Sequence, residues 1–302
     1  MDQKNVSKQL DRCRKNLLLL KKITIGEIFK YIFMTALVIF FALPLIYMIS
    51  TAFKPFDELF LYPPRFLVRN PTLENMRDLL TALSSIEVPF SRYVLNSIIV
   101  SAGVVATTII LCGMCAYGLV IHRPKGSGFI LTLIIAALMF SPHVTQIPSY
   151  LVVNGLRLVD TYSALIIPRI AVAYNLFLME RFTRQLPFAL IEAARMEGAS
   201  EMRIFWRIMM PNIKPAWATL IALTFISTWN DYFTPLVFTT SQNMRTLPLA
   251  LQLLAGGPAV ANIGRAGAVA AATLVMTTPV IIVFIFMQKK VIETMTYSGI
   301  KA

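Results

Sequence analysis

The sequence has 302 residues, of which 57% are hydrophobic and 14% are charged, and its mean hydropathy is +0.68. Because a soluble domain normally has about a quarter of its residues charged, this composition excludes an ordinary water-soluble protein. The formal charge of +13 does not indicate a nucleic-acid partner, since the basic residues concentrate on one side of the apolar segments.

The apolar residues form long blocks, and a block of about 20 residues is what a helix needs to cross a bilayer. We therefore predict an all-α, polytopic membrane protein with six transmembrane helices, called spans one to six. The third and fourth are short for a crossing. The spans lie at about residues 28–52, 92–121, 128–145, 163–180, 214–238 and 265–288.

The distribution of Lys and Arg gives the predicted orientation, because cytoplasmic segments carry the excess of these residues. With the N-terminus inside, eighteen of them lie on the inner side and about six on the outer side. We therefore predict two cytoplasmic tails, residues 1–27 and 289–302, on either side of one membrane domain at 28–288.

Between spans one and two, an outer segment shows apolar residues at helical spacing after Thr72, a suitable N-cap. It is predicted to be a helix lying along the outer membrane surface. Span two is rich in small residues, which lets other helices approach closely. Cys112 and Cys115 within it are explained better by this packing than by redox chemistry. The apolar face of the outer helix comprises Leu73, Met76, Leu79, Leu80 and Leu83.

The inner loop at about residues 181–213 is predicted to form two short helices around a glycine elbow. Pro187 suits the first turn of the first helix, and Gly198 can end it in a left-handed conformation. Ser200 can cap the second helix, and Pro211 is expected to end it.

The second helix of this loop carries an apolar stripe, at positions i, i+3, i+4 and i+7. Such a stripe needs a cover, and a groove on a partner protein is the favoured one. The membrane surface is the alternative. A DNA-binding helix-turn-helix is excluded, because the loop has no room for a further core helix. The stripe comprises Met202, Phe205, Trp206 and Met209.

Glu192-Ala193-Ala194, followed by Gly198 and Pro211, resembles the cytoplasmic loop of bacterial ABC-importer permeases. Glu197 stands where that family usually has Asp, which keeps the charge. From about residue 28 to the end, further motifs resemble the maltose-type, carbohydrate-importing branch in the same order. These motifs are Arg92-Tyr93, Asn96-Ser97, Ala116-Tyr117-Gly118, Pro148, Tyr150, Gly155-Leu156, Asp160-Thr161 and Trp229-Asn230-Asp231-Tyr232.

The resemblance implies a permease subunit that forms the pathway for a sugar or oligosaccharide through the bacterial inner membrane. A peptide, an amino acid or a polyamine is the alternative substrate. The implied partners are ABC ATPase subunits, a second permease subunit, an extracytoplasmic solute-binding protein and membrane lipid. ATP and Mg are expected on the ATPase and no cofactor in this chain, which lacks a G-x-x-x-x-G-K-[ST] loop. In the coupling loop (181–213), the implied docking residues are Glu192, Ala193, Ala194, Glu197, Gly198, Phe205 and Pro211.

Arg169 in span four and Asp231 in span five are charged residues at similar predicted depth, and such residues are functional candidates. A structural ion pair is the favoured interpretation. Alternatively, Asn230 and Asp231 bind sugar hydroxyls while Trp229 or Tyr232 stacks on a ring. In a third interpretation, Arg169 binds an acidic sugar.

Two other function classes are less favoured. An intramembrane enzyme needs a nucleophile with a base, or a metal set, but the chain has only His122 and His143, neither in an H-E-x-x-H motif. A secondary transporter normally needs more than six spans. The Gly256-Gly257-Pro258 segment between spans five and six is expected to meet the binding protein.

Overall fold

The structure is a computed structural model that describes residues 25–84, 88–170, 172–256 and 266–299. Within these ranges all regular secondary structure is helical, as predicted. Most of the predicted N-terminal tail and the Gly257-Pro258 turn lie outside the described residues.

The described residues of the first half of the chain form eight helices, and a π-helical turn, Gly118–His122, extends the fourth of them. They are α1 (Ile25–Ala52), α2 (Phe56–Leu59), α3 (Glu74–Ser84), α4 (Phe90–Tyr117), α5 (Ser127–Ala137), α6 (Pro142–Gly155), α7 (Tyr162–Ile170) and α8 (Ala173–Thr183).

In the second half, the part that the structure describes forms seven helices, and a second π-helical turn, Phe205–Met209, joins two of them. A short 3-10 helix, Gln242–Met244, precedes the long helices at the end. The helices are α9 (Phe188–Met196), α10 (Glu201–Ile204), α11 (Met210–Asn212), α12 (Lys214–Trp229), α13 (Phe233–Phe238), α14 (Leu247–Gly256) and α15 (Ala266–Gly299).

Spans one, two and six appear as continuous helices: of the described helices, α1, α4 with its π-helical turn, and α15 are long and apolar enough to cross a membrane alone. Span four is divided into α7 and α8, which together pass the same test but are bent by 49°. Four described segments therefore reach the length of a crossing, against the six spans predicted.

Spans three and five are interrupted where the prediction drew single helices. Span three stops at Ala137 and restarts at Pro142, because Ser141, which precedes the proline, is extended (φ −66°, ψ 136°). Span five stops at Trp229, two residues before Asp231, and resumes at Phe233.

Helix α4 is the centre of the fold, packing against α7, α8 and α12, as its small residues predicted. A Cβ atom on Gly113 would lie 3.4 Å from the Phe205 ring, at ordinary van der Waals distance, so this part of α4 packs directly on that side chain. Cys112 is buried and Cys115 is exposed, and neither is in a disulfide.

Helix α3 has part of its apolar face covered by protein, where the sequence predicted the membrane surface. Leu73 and Leu80 of the same face are 60% and 42% exposed. Leu79 and Leu83 are fully buried in a core with Tyr93 and Trp229, at the end of the bundle far from the coupling loop. The predicted cap is present, since the hydroxyl of Thr72 accepts a hydrogen bond from the amide of Glu74 at 3.2 Å. The helix ties the bundle together, because its inward face packs on α15.

Two of the sequence motifs hold the segment at residues 239–246 in place. The side chain of Asn96 donates hydrogen bonds to the carbonyls of Asn243 and Arg245, both at 2.8 Å. The carboxylate of Asp160 accepts the amides of Thr240 and Ser241 at 2.8 and 2.9 Å. The motifs therefore fix a connection between α13 and α14.

Candidate functional site

The coupling loop forms the predicted pair of helices around a glycine elbow. Helix α9 begins directly after Pro187 and ends at Met196. Gly198 then has φ +78°, a conformation that side-chain-bearing residues rarely adopt. The amides of Gly198 and Ala199 donate to the carbonyls of Arg195 and Ala194, each at 3.0 Å.

The second half of the loop differs from the prediction at two residues. The side chain of Ser200 makes no capping hydrogen bond, although its backbone is extended (φ −69°, ψ 152°) as at an N-cap. Pro211 does not end the helix, which continues through the π-helical turn and α11 to Asn212. A proline fits there because it occupies the first turn of α11.

The predicted apolar stripe is divided between two environments. Phe205 and Met209 are buried inside this chain, whereas Met202 and Trp206 are about half exposed. The Phe205 ring contacts Tyr117 edge to face, with centroids 5.8 Å apart. Phe205 thus anchors the loop to α4, and only the exposed pair remains for a partner.

The loop presents an exposed docking face, which we define as Glu192, Ala193, Met196, Glu197 and Gly198. Met196 is 89% exposed, and two carboxylates flank it. Ala194, which was expected beside them, is 7% exposed and packs inward. The face is apolar at its centre and acidic at its edges.

Behind the docking face, the loop shares one continuous core with the ends of three spans. Ile191, Ile204 and Phe205 pack with the end of α4, with Met179 of α8 and with Leu220 of α12. This loop-end core makes the loop a rigid attachment to spans two, four and five, because interiors packed this closely transmit displacement.

Polar contacts converge on one carboxylate at the elbow. Arg195 donates to Glu201 through Nε at 2.9 Å and through Nη2 at 3.2 Å. The Tyr117 hydroxyl also donates to Glu201, and His122 Nε2 lies 3.4 Å from the same carboxylate. The hydrogen bond from Arg195, followed by that from Tyr117, lowers the pKa of Glu201 below its ordinary value. These four residues are the elbow cluster.

The sequence analysis did not bring the elbow cluster together. Tyr117 was part of a recognised motif, but Glu201 follows it by 84 residues. No local spacing connects two such positions, and the bond exists only because the loop packs against the end of α4.

Arg169 and Asp231 form the predicted ion pair, and both side chains are largely buried. Arg169 Nη2 also donates to the carbonyl of Ser227 at 3.3 Å. The Asp231 carboxylate accepts the amides of Phe233 and Thr234, at 3.0 and 3.2 Å. The pair joins α7 to the start of α13.

The four-residue motif at the end of span five divides into a buried and an exposed half. Trp229 is 3% exposed, and its indole N–H donates to the carbonyl of Met276 at 3.0 Å. Its ring therefore holds α12 to α15 and is not open for stacking. Asn230 and Tyr232 line a cavity of about 250 Å³ between α12, α14 and α15.

A second cavity, of about 370 Å³, lies beside the ion pair. Apart from Arg169, its polar lining is uncharged and comes from α8 and α12. Hydroxyl and amide groups of this kind can hydrogen-bond a neutral polar solute. The polar residues are Tyr174, Asn175, Thr224, Ser227 and Thr228. Among the described residues, no cluster of His, Cys, Asp and Glu is arranged to hold a metal ion.

A helical membrane domain with polar cavities between its spans, and with a helical loop packed on one end of the bundle, defines a permease. Residues 108–295 match the model of the family described as "Binding-protein-dependent transport system inner membrane component". The chain belongs to this family of ABC transporter permeases.

Similar proteins span nearly the whole chain. The probable ABC transporter permease protein YurM of Bacillus subtilis is 29% identical over 283 residues, 93% of this chain and 91% of its own length. The arabinooligosaccharides transport system permease protein AraQ of Bacillus subtilis is 32% identical over 70% of this chain and 74% of its own. The sn-glycerol-3-phosphate transport system permease protein UgpE of Yersinia pestis is 30% identical over 87% and 93%, respectively.

The fold also matches a solved structure of a bacterial ABC transporter involved in the import of the acidic polysaccharide alginate. The TM-score is 0.77, with 24% identity, 89% coverage of this chain and 97% coverage of the other. The arrangement of helices is therefore that of an ABC permease.

Proposed function

We propose that this permease forms part of the translocation pathway for a sugar or oligosaccharide in an ATP-driven importer of the bacterial inner membrane. The observation that carries the proposal is the two-sided build of the coupling loop. One side is the exposed docking face, and the other is the loop-end core that binds the loop to three spans.

The docking face suits a groove on an ABC ATPase. Met196 offers an apolar centre, while Glu192 and Glu197 offer charges for basic residues at the groove's rim. Ala193 and Gly198 carry little side chain and let the partner approach closely. Phe205, Ala194 and Pro211 support the loop from within or beside it. In this proposal ATP and Mg are bound by the ATPase alone.

The transport step follows from the rigidity of the loop. When the ATPase subunits close on ATP, the loop moves with them and carries the ends of spans two, four and five. The spans then tilt, and the polar cavities open alternately towards each side of the membrane. The loop end must face the cytoplasm, which agrees with the excess of Lys and Arg on that side.

The cavities favour a neutral, hydroxyl-rich solute. The Arg169 cation is already paired with Asp231, so it has little free charge for an acidic sugar. Asn230 and Tyr232 in one cavity, and Asn175 and Ser227 in the other, provide hydrogen-bonding groups. The relatives named for arabinooligosaccharides support a sugar over peptides, amino acids or polyamines.

A complete pathway needs a second permease subunit, and an extracytoplasmic solute-binding protein delivers the solute. The second permease would cover part of the apolar surface that this chain exposes. The family description, which specifies dependence on a binding protein, supports the latter partner.

The test is purification of the tagged permease from its native membrane, followed by reconstitution of the intact complex into vesicles with ATP inside. We expect an ABC ATPase to co-purify and tritiated arabinotriose to be taken up, with a neutral tripeptide as comparison. Glu192→Arg should abolish co-purification, whereas Glu74→Arg, an exposed acid on α3, should not. Uptake of the sugar without any ATPase would refute the proposal, as would uptake of the tripeptide alone.

A further inference from the structure

The elbow cluster joins three separate elements through a single carboxylate. Arg195 lies in the last turn of α9, Glu201 is the first residue of α10, and Tyr117 is the last residue of α4. His122 ends the π-helical turn that extends α4. Both helices of the coupling loop and span two therefore meet at Glu201.

The contacts at Glu201 are directional, unlike those of the core behind it. Arg195 binds both carboxylate oxygens with two N–H groups, a planar arrangement that fixes orientation as well as distance. The apolar loop-end core fixes both loop helices to the spans by close packing. The ion pair adds a directional contact between α9 and α10.

The cluster adds little to stability, which separates a positioning role from a purely structural one. The side chains of Arg195 and Glu201 are 35% and 46% exposed, and ion pairs this exposed are typically worth at most about 1 kcal/mol. Gly198, between the two residues of the pair in sequence, permits the left-handed turn of the elbow. The pair joins the two helices across that turn.

Local distortions of the helices surround the cluster. One π-helical turn, Gly118–His122, lies on the span-two side, and the other, Phe205–Met209, follows α10. Such turns occur frequently at functional sites, because they locally loosen the helical ladder. Both sides of the junction can therefore adjust while the carboxylate keeps them in register.

We infer that Glu201 is a positioning residue: it fixes the elbow between the coupling helices and transmits their movement to span two through Tyr117. This inference rests on the proposed docking of an ATPase on the coupling loop. As α9 moves with the ATPase, Arg195 pulls the Glu201 carboxylate with it through their hydrogen bonds. The carboxylate in turn pulls the end of α4 through its hydrogen bond with Tyr117. Without this link the loop still docks, but span two follows it poorly.

The test uses a readout that does not depend on knowing the solute. Thr273→Cys places a thiol in the cavity at the far end of the bundle, in a chain whose Cys13, Cys112 and Cys115 are alanine. The intact complex is reconstituted, and labelling by a membrane-impermeant maleimide is measured with and without ATP plus vanadate. In the parent, ATP should change the labelling rate.

Glu201→Gln should leave ATPase co-purification unchanged and reduce the ATP-dependent change in labelling by up to about fivefold, the most that an exposed ion pair of about 1 kcal/mol supplies. Tyr117→Phe, which removes only a hydroxyl, should act in the same direction. The double variant should be no worse than Glu201→Gln alone, because both residues serve one link. Tyr31→Phe, an exposed tyrosine on α1, is the control for loss of a hydroxyl.

An ATP response equal to the parent's in both Glu201→Gln and Tyr117→Phe would overturn the inference and leave the proposed function intact. If Glu201→Gln does not assemble, Tyr117→Phe decides alone. A parent complex that binds no ATPase and shows no response to ATP would instead refute the proposed function, and the inference with it.

Discussion

Arg169 on α7 and Asp231, just beyond the end of α12, are joined by an ion pair at the point where span five is interrupted. The same carboxylate accepts the amides of Phe233 and Thr234. It therefore caps α13 while it neutralises the guanidinium, and the interruption and the charge belong to one arrangement.

Because the carboxylate has two roles, we predict that the two single variants lose different amounts of stability. Arg169→Met should lower the free energy of unfolding less than Asp231→Ala, because the carboxylate keeps its amide hydrogen bonds when the arginine is lost. Removing one partner of a buried pair costs about 3–5 kcal/mol, and the partial exposure of this pair places it near the lower end. Thermal unfolding of the purified permease measures the order.

Asp231→Asn is the matched control, since asparagine keeps an oxygen for the two amides but leaves Arg169 uncompensated. The double variant Arg169→Met/Asp231→Asn should recover most of the stability lost in Asp231→Asn. If it also recovers uptake of arabinotriose, the pair is structural. Recovered stability without uptake would indicate that a charge here contacts the solute.

Gly198 provides a prediction about backbone conformation alone. A Cβ atom there would meet no atom within 4 Å, so only the φ of +78° opposes a side chain. Gly198→Ala should cost about 1 kcal/mol and weaken ATPase co-purification, and Gly198→Asp should leave a folded permease that does not transport. Gly155→Ala, at an equally open glycine without positive φ, is the control. Full transport by Gly198→Asp would contradict the prediction.

The aromatic residues at the end of span five should separate stability from transport. Trp229 is buried and bonded to Met276, so Trp229→Ala should destabilise the permease by about 3–5 kcal/mol. Tyr232 is 41% exposed beside a cavity, and Tyr232→Ala should change stability by less than about 0.5 kcal/mol while reducing sugar uptake. Melting temperature and uptake, measured on the same preparations, test both. Equal losses of stability would show that Tyr232 is also structural.

The sequence was sufficient for the helical fold and for the elbow. Gly198, placed after a run of helix-forming residues, has few physical alternatives to a left-handed cap, and long apolar blocks can satisfy their backbone in lipid only as helices. Local chemistry determined these features, so local reasoning found them.

Long-range packing determined the features that the sequence did not show. The spacing of Met202, Phe205, Trp206 and Met209 correctly placed an apolar helix face, but periodicity does not show what covers each member. Phe205 and Met209 are buried in the loop-end core, where the Phe205 ring contacts Tyr117 of α4. The apolar face of α3 was partly misplaced for the same reason, since protein and lipid are equally suitable covers: Leu79 and Leu83 are buried, whereas Leu73 and Leu80 are exposed.

The elbow cluster gives a prediction for pH. The pKa of Glu201 lies below the ordinary 4.5, first because of Arg195 and then because of Tyr117. A carboxyl whose pKa is lowered by folding stabilises the fold above its unfolded value and loses that contribution as the pH falls through the folded value. The elbow should therefore keep its geometry from neutral pH down to about 4.5 and loosen only below it.

Spin labels on Met196→Cys and Lys125→Cys, in the chain without its own cysteines, would report that geometry as a distance distribution. It should stay narrow over this range in the parent and be broad at every pH in Glu201→Gln. Broadening of the parent near neutral pH would contradict the prediction.

At Gly267, near the start of α15, we expect an added methyl group to lower stability most. A Cβ atom there would lie 2.0 Å from Asn75 Oδ1, and the Asn75 amide is held by the carbonyls of Ala52 and Lys54 at 3.0 and 2.7 Å. Gly267→Ala must therefore displace a buried amide and leave two carbonyls without a hydrogen-bond donor. Each lost bond should lower the free energy of unfolding by about 1–3 kcal/mol. Gly103→Ala is the matched control, because its Cβ would meet, at 2.7 Å, only the flexible end of Ile166. We expect a clear fall in melting temperature for Gly267→Ala and a small one for Gly103→Ala; equal falls would mean that Asn75 moves aside without losing its bonds.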